Sequence, residues 1–177
     1  SVGERQPALR DLDGDGDPDL VLGPMSPQTP STCAVHLRGP VGWSQLALPA
    51  AATAPLHGID IGDIDNDGDA DILVAAHGNS QAALIILRNQ SATFTADATP
   101  FQSGLPVGCW PRFVDFDHDG DLDVVGSYDT GGLVWLRQQG GTFLNVTAAM
   151  PSTRAPLHQH FVGDFTGDGI TDILLLL

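Results

Sequence analysis

The sequence predicts an all-β fold built from a four-stranded unit repeated along the chain, and three observations carry that expectation. Acidic residues gather in four clusters that begin at Asp11, Asp63, Asp115 and Asp164, spaced 52, 52 and 49 residues apart. Each cluster runs directly into a short aliphatic stretch: Leu20-Val-Leu22, Ile72-Leu-Val74, Val124-Val125 and Ile173-Leu-Leu-Leu. Stretches of this kind, partly β-branched and bounded by Gly and Asp, read as buried strands. No segment sustains a 3.6-residue apolar period with caps, so essentially no helix is expected.

The remaining strands of the unit emerge when the intervals are aligned on the clusters. Each complete interval carries a second apolar run ending in Leu-Arg: Val35-His-Leu37-Arg38, Ile85-Ile-Leu87-Arg88 and Val134-Trp-Leu136-Arg137. An aromatic residue follows five or six residues later, Trp43, Phe94 or Phe143, after a turn containing Gly or Asn, and opens a further strand. Ahead of each cluster lies a short segment, Ala8-Leu9-Arg10, Gly58 to Gly62, Phe113-Val114 or Phe161-Val-Gly163. Four short strands in about 50 residues with Gly-rich turns match the blade of a β-propeller. The expected blades span about 5–52, 53–104 and 105–153, with a partial fourth over 154–177. Propellers close with four to eight blades, so three and a half blades point to part of a larger, seven-bladed ring. The rest would come from a longer propeller chain, from a second copy or from another chain.

Composition narrows the function. The chain has 177 residues, which suits one domain, and 42% of them are hydrophobic, enough for a core. Acidic residues outnumber basic ones 22 to 7, for a net charge of −15, and every basic residue is an arginine. A phosphate-neutralising nucleic-acid binder needs a basic face; a P-loop or a Schiff-base enzyme needs a lysine. None is available, so no nucleic-acid partner is expected. No run of 18 apolar residues occurs, so no membrane insertion is expected either. The sequence also lacks Gly-x-Ser-x-Gly, His-Glu-x-x-His and Cys-x-x-Cys, the common local signatures of hydrolases, zinc proteases and redox proteins.

The clusters themselves read as cation sites. They hold 18 of the 22 acidic residues: Asp11, Asp13, Asp15, Asp17 and Asp19; Asp63, Asp65, Asp67, Asp69 and Asp71; Asp115, Asp117, Asp119, Asp121 and Asp123; and Asp164, Asp168 and Asp172. Thr166 and Ile170 stand at positions 3 and 7 of the fourth cluster. Carboxylates at positions 1, 3, 5 and 9 crowd negative charge into one turn, which is costly without a cation. Oxygen-only ligands select a hard ion, and an irregular many-oxygen cage suits Ca²⁺ better than octahedral Mg²⁺. Glycine at position 6 permits a positive φ, and the position 7 carbonyl adds a ligand. Three sites of this kind are expected to be strong, and the fourth, with Thr166, weaker. An EF-hand loop begins with the same spacing but needs a bidentate Glu at position 12, where this chain has Leu22, Val74, Gly126 and Leu175.

The segment Gly62-Asp-Ile-Asp-Asn-Asp-Gly-Asp-Ala-Asp71-Ile-Leu-Val74 and its three counterparts resemble FG-GAP/VCBS repeats, the calcium-bearing blades of integrin α-subunit propellers. The resemblance covers nearly the whole chain. It implies that the loop joins the first two strands of a blade and that the Asp residues at positions 1, 3, 5 and 9 hold a structural Ca²⁺, with partners docking elsewhere on the ring. The Phe-Gly and Gly-Ala-Pro elements are mostly missing, Leu22-Gly-Pro24 being the nearest echo, so the chain looks closer to the secreted VCBS type than to an integrin. A calcium-binding module of a secreted or cell-surface protein, binding a protein or glycan ligand without catalysis, is the expectation. Extracellular calcium, on the order of millimolar, fills modest sites.

A second reading places chemistry on the segments that precede the loops. His57 and His158 each lie six residues before the first Asp of their loop, after Pro-Leu, with Asp60 and His160 nearby; Cys109, Trp110 and Arg112 occupy the matching stretch of the third repeat. In a ring these residues would form a rim able to hold a sugar, a carboxylate or a metal, as in a lectin or a polysaccharide-active enzyme. The bland alternative is a turn into the first strand, with each imidazole satisfied by backbone. Cys33 and Cys109 fall on non-adjacent blades and are expected as free thiols. Trp43 and Trp135 fall where blades pack together. Asn89-Gln-Ser91 and Asn145-Val-Thr147 are glycosylation sequons.

Overall fold

The computed structural model describes residues 7–23, 32–53, 56–77, 82–101, 110–127, 132–150 and 159–176. Within them the chain forms fourteen strands and two short 3₁₀ turns, Ala50–Thr53 and Thr147–Ala149, with no α-helix among the described residues. No helix there is long and apolar enough to cross a membrane. The first sheet comprises β1 (Ala8–Arg10), β2 (Asp19–Leu22), β3 (Ala34–Gly39) and β4 (Gly42–Leu46); the second β5 (Leu56–Gly62), β6 (Asp71–His77), β7 (Ala82–Gln90) and β8 (Thr93–Asp97). The third holds β9 (Trp110–Val114), β10 (Asp123–Ser127), β11 (Leu133–Gln139) and β12 (Thr142–Asn145), and the fourth only β13 (Gln159–Gly163) and β14 (Asp172–Leu176). Strands lie side by side in chain order, each antiparallel to the last. Each acidic cluster links the first and second strands of a sheet. The described residues do not close a ring.

Side chains alternate between the faces of each strand, and that alternation sorts the apolar residues into two cores. One lies between the first and second sheets, where Leu12, Val21 and Val35 meet Ile61, Ile72, Val74, Leu87 and Phe94. The other lies between the second and third, where Ile64, Leu73, Leu84 and Ile86 meet Val124, Leu136 and Phe143, with Phe113 and Leu122 alongside. The second sheet therefore has a rear face toward the first and a forward face toward the third. Close approach at the second junction leaves no room beyond hydrogen at Gly62, where a Cβ would stand 2.9 Å from Leu122 and 3.1 Å from Phe113.

The observed register corrects the alignment of the Leu-Arg pairs. Ile72 pairs with Leu87 and Val124 with Leu136, but the equivalent Leu20 pairs with His36. Leu37-Arg38 thus sits one residue later in its sheet than Leu87-Arg88 and Leu136-Arg137. In structural terms Arg38 matches Asn89 and Gln138, and Trp43 matches Phe94 and Phe143.

Trp43 also departs from the expected burial: it is 56% exposed, whereas Phe94 and Phe143 are buried. The position is the one that packs between sheets, but no described sheet lies behind the first. Trp135 is partly buried, with its ring edge-on to Phe116 and its Nε1–H donating to Asp123. Cys33 is a buried free thiol, pushed up to about 12 by desolvation; Cys109 lies outside the described residues.

Candidate metal centres

Each acidic loop is wound around its first carboxylate. Asp63 accepts the N–H of Asp67 at 3.1 Å and of Gly68 at 2.9 Å, and Asp115 accepts those of Asp119 and Gly120, both at 3.1 Å. Asp11 binds the N–H groups of Gly14 and Gly16, and Asp164 those of Gly167, Asp168 and Gly169. The chain can turn this tightly because positions 4 and 6 both take left-handed backbone. In the second loop these are Asn66 (φ 58°) and Gly68 (φ 95°), and in the third His118 (φ 61°) and Gly120 (φ 95°). Glycine occupies position 6 in every copy, where the left-handed conformation costs it nothing sterically. The position 5 carboxylate then caps the N–H of position 7, at 2.8 Å from Asp17 to Asp15, 2.9 Å from Asp69 to Asp67 and 3.0 Å from Asp121 to Asp119.

This winding draws positions 1, 3 and 5 together. One carboxylate oxygen from each of Asp11, Asp13 and Asp15 lies within 4.8 Å of the others, and the same holds for Asp63, Asp65 and Asp67 and for Asp115, Asp117 and Asp119. The donors are all oxygens, the set a hard divalent cation takes. Burial, joined by repulsion from Asp15, Asp19 and Asp11, holds the Asp13 carboxyl above its ordinary range. A cation would relieve that repulsion. The fourth loop has the same turn but no such triad among the described residues, because Thr166 stands at position 3.

Position 9 does something the sequence did not reveal. Asp19 accepts the Leu12 N–H at 2.8 Å with one oxygen and the Arg38 N–H at 2.7 Å with the other. Asp71 does the same with Ile64 and Asn89, at 3.3 and 2.7 Å. Asp123 takes the Gln138 N–H at 2.8 Å and the Trp135 indole N–H at 2.9 Å. These three carboxylates are fully buried and staple the loop to the third strand of its own sheet. Desolvation pushes Asp71 up to about 6, against the pull of the Asn89 and Ile64 N–H groups, and raises Asp123 against the Gln138 N–H. The signal was present in the sequence, since each of these acids opens an apolar strand where an unpaired charge would not be tolerated. In the fourth sheet Asp172 accepts, among the described residues, only from the loop, from Phe165 at 3.0 Å and Thr166 at 3.1 Å.

Arginines make the sites unequal. Arg88 reaches Asp65, the position 3 ligand, at 2.8 Å, and Arg137 reaches Asp117 at 3.8 Å. The register shift puts Leu37 at that place in the first sheet, so Arg38 faces Asp17 at position 7 instead, at 3.6 Å. Asp69, the other position 7 acid with a described partner, accepts the Ser91 N–H at 2.8 Å.

The rim residues lie on the first strands, where the sheets adjoin. Asp60 of β5 accepts the Phe113 N–H of β9 at 2.7 Å and faces Arg112 at 3.5 Å. Burial raises the Asp60 carboxyl, opposed by those same partners. His160 of β13 is buried, with Nδ1 2.8 Å from the Ser127 hydroxyl of β10 and Nε2 without a hydrogen-bond partner among the described residues. Desolvation, aided by the Arg112 charge, lowers the imidazole to about 4, so it is neutral. Trp110 is partly buried opposite Ser127. The backbone of His57 lies at the irregularity between Leu56 and Gly58; its side chain, and all of His158, lie outside the described residues.

The repeat that this geometry defines has a counterpart among known families. The profile of the FG-GAP-like repeat matches three overlapping stretches, residues 11–74, 63–126 and 115–175. The chain belongs to the FG-GAP-like repeat family. Each matched stretch runs from one acidic loop through the next, so the family unit and the structural unit coincide on the loop and the strand that follows it. Among curated proteins, none matches the chain in sequence.

Proposed function

We propose that this FG-GAP-like chain is a calcium-binding β-propeller module of a secreted or cell-surface protein, serving adhesion or ligand recognition without catalysis. The observation that carries the reading is the recurrence, at equivalent places in three sheets, of a carboxylate triad whose oxygens lie within 4.8 Å of one another. Asp11, Asp13 and Asp15, and their counterparts in the second and third loops, would hold the ions, and Ca²⁺ would supply the positive charge that offsets the crowding of negative oxygens in each triad. Ion binding then contributes to folding, because no such cage exists in the unfolded chain. The fourth loop, with Thr166 and Ile170, is the weaker site. The sheets are read as successive blades of a seven-bladed ring, and a protein or glycan ligand as its partner.

Thermal unfolding in excess EDTA and then in millimolar Ca²⁺ tests the proposal. The melting temperature should rise by roughly 10 °C or more if three sites each bind well below the working concentration. Asp67→Ala should remove part of that rise. Equal melting temperatures in the two buffers would reduce the triads to solvated turns.

A further inference from the structure

Arg88 faces three acids at one mouth of the second sheet. Its Nη1 lies 2.8 Å from Asp65 and 3.8 Å from Asp71, and its Nε lies 3.6 Å from Asp97. Strand pairing explains the fan. Arg88 of β7 stands opposite Thr95 of β8, and Asp97, two residues on, lies diagonally across on the same face. On the other side Ile72 pairs with Leu87, which sets Arg88 beside Asp71, where the second loop rejoins the sheet. Asp71 is committed to the Ile64 and Asn89 N–H groups, so the guanidinium is divided between the triad member Asp65 and the outlying Asp97. Asp97 is anchored independently of Arg88. One oxygen accepts the Thr99 N–H at 3.0 Å and the Thr99 hydroxyl at 2.6 Å, and the other faces Arg88. Against desolvation, the Thr99 bonds and the Arg88 charge hold its carboxyl below the ordinary range.

The third sheet carries the same arginine without the outlying acid. Arg137 matches Arg88 and lies 3.8 Å from Asp117. Val146, whose N–H donates to the Trp135 carbonyl, holds the Asp97 position. Arg137 Nε, the counterpart of the atom that faces Asp97, is buried and has no hydrogen-bond partner among the described residues. The first sheet has neither group, since Leu37 stands at the arginine position and Leu46 at that of Asp97. Three equivalent triads thus differ in their surroundings: one with an arginine and an acid to receive it, one with the arginine alone, one with neither.

On the reading of the triads as Ca²⁺ sites, we infer that Arg88 competes with the ion for Asp65 and that Asp97 is the acceptor that draws Arg88 off the second triad. This pair then sets the ion concentration at which the second loop fills. A guanidinium is charged at any pH the fold tolerates, and at 2.8 Å from a triad oxygen it both occupies that carboxylate and repels a divalent cation beside it. Releasing Asp65 costs Arg88 a charge-assisted bond. The anchored Asp97, already 3.6 Å from Nε, offsets that cost with no movement of the backbone. At the third loop Val146 offers Arg137 no such acceptor.

Calorimetric Ca²⁺ titration of chains with a single intact triad tests the inference. Asp15→Ala with Asp119→Ala isolates the second triad; there Arg88→Gln should tighten binding roughly tenfold, and Asp97→Asn should weaken it about threefold. In EDTA, Arg88→Gln should lower the melting temperature by roughly 3 °C, because the acids lose their tethered counter-charge. Asp15→Ala with Asp67→Ala isolates the third triad, where Val146→Asp gives Arg137 Nε a partner and should tighten binding severalfold. Most of that gain should vanish when Arg137→Gln is also present. Circular dichroism in EDTA identifies the variants that remain folded. Binding that is unchanged or weaker in Arg88→Gln would overturn the inference and leave the calcium reading intact, as would a Val146→Asp gain that persists without Arg137. An isolated, folded second triad that takes up no Ca²⁺ would overturn the calcium reading and the inference with it.

Discussion

The side-chain amide of Asn89 donates to the backbone carbonyl of Leu12, 77 residues earlier, across the junction between the second and first sheets. Asn89 is 2% exposed and its amide oxygen also accepts the Ala92 N–H at 2.9 Å. One residue thus fastens two sheets and shapes the turn after β7. Asn89→Ala leaves a buried carbonyl and an N–H unpaired, with an expected loss of about 2 kcal/mol. Gln138→Ala, which removes one such bond, should cost about 1 kcal/mol. Denaturant midpoints measure both, with exposed Gln139→Ala as the near-neutral control.

The acids of one loop should separate into two classes. Asp19→Ala removes the acceptor for the Leu12 and Arg38 N–H groups inside the first sheet, and should cost about 3 kcal/mol whether or not Ca²⁺ is present. Asp15→Ala removes a triad member whose one described bond is the short cap to Asp17. It should leave stability in EDTA nearly unchanged while reducing the gain on adding Ca²⁺. Melting curves of both variants in both buffers give the four values needed. Equal calcium dependence of the two losses would contradict the division.

Burial of His160, beside Ser127 and Arg112, makes docking of β13 on β10 sensitive to acid. Facing the imidazole are Arg112 of β9, Ser127 and the Val125 backbone. Burial depresses the folded pKa to about 4 from an ordinary value of 6.5, so the folded state excludes a proton that the unfolded chain accepts. The stability of the neutral form is fully present above pH 6.5 and falls as pH drops toward 4, by about 2 kcal/mol at pH 5. His160→Gln should flatten this part of the pH profile of unfolding free energy, measured between pH 7 and 5. An unaltered slope would remove His160 as its source.

Two glycines at equivalent places in the repeat should respond differently to the same change. Gly62→Ala puts a methyl group 2.9 Å from Leu122 and should cost about 1 to 2 kcal/mol through overpacking. Gly163→Ala, whose Cβ meets only Phe165 at 3.7 Å, should be close to neutral. Leu122→Ala in the Gly62→Ala background should recover part of the loss, since contacting residues couple. Unfolding midpoints of the two single variants and the double variant decide the matter.

The strand order and the loop positions were legible because they depend on local sequence: Asp and Gly at fixed spacing set the turn, and the apolar run after it sets the next strand. The carboxylate triad follows from the same local spacing. What could not be read was registration over distance. The Leu-Arg pair looked equivalent in three repeats, yet pairing with the second strand displaces Leu37-Arg38 by one residue and moves its arginine from the position 3 acid to the position 7 acid. The stapling role of Asp19, Asp71 and Asp123 was hidden for a related reason, since their partners lie 15 to 19 residues further along the chain. His160 read as a rim ligand because burial by a neighbouring sheet leaves no mark on the residue itself. The spacing of Trp43 sets the face it occupies, but its exposure depends on whether another sheet covers that face.

Whether the three carboxylate triads hold Ca²⁺ is decided by calorimetric titration of Ca²⁺ into the metal-stripped chain, repeated with Asp15→Ala, Asp67→Ala and Asp119→Ala. Saturable binding at three strong sites is expected, with one site lost in each variant. Because Arg88 and Arg137 face the second and third triads while, among the described residues, no arginine pairs with the first, the site lost in Asp15→Ala should be the tightest. Absence of heat at millimolar Ca²⁺, or binding that none of the three substitutions reduces, would contradict Ca²⁺ binding by the triads.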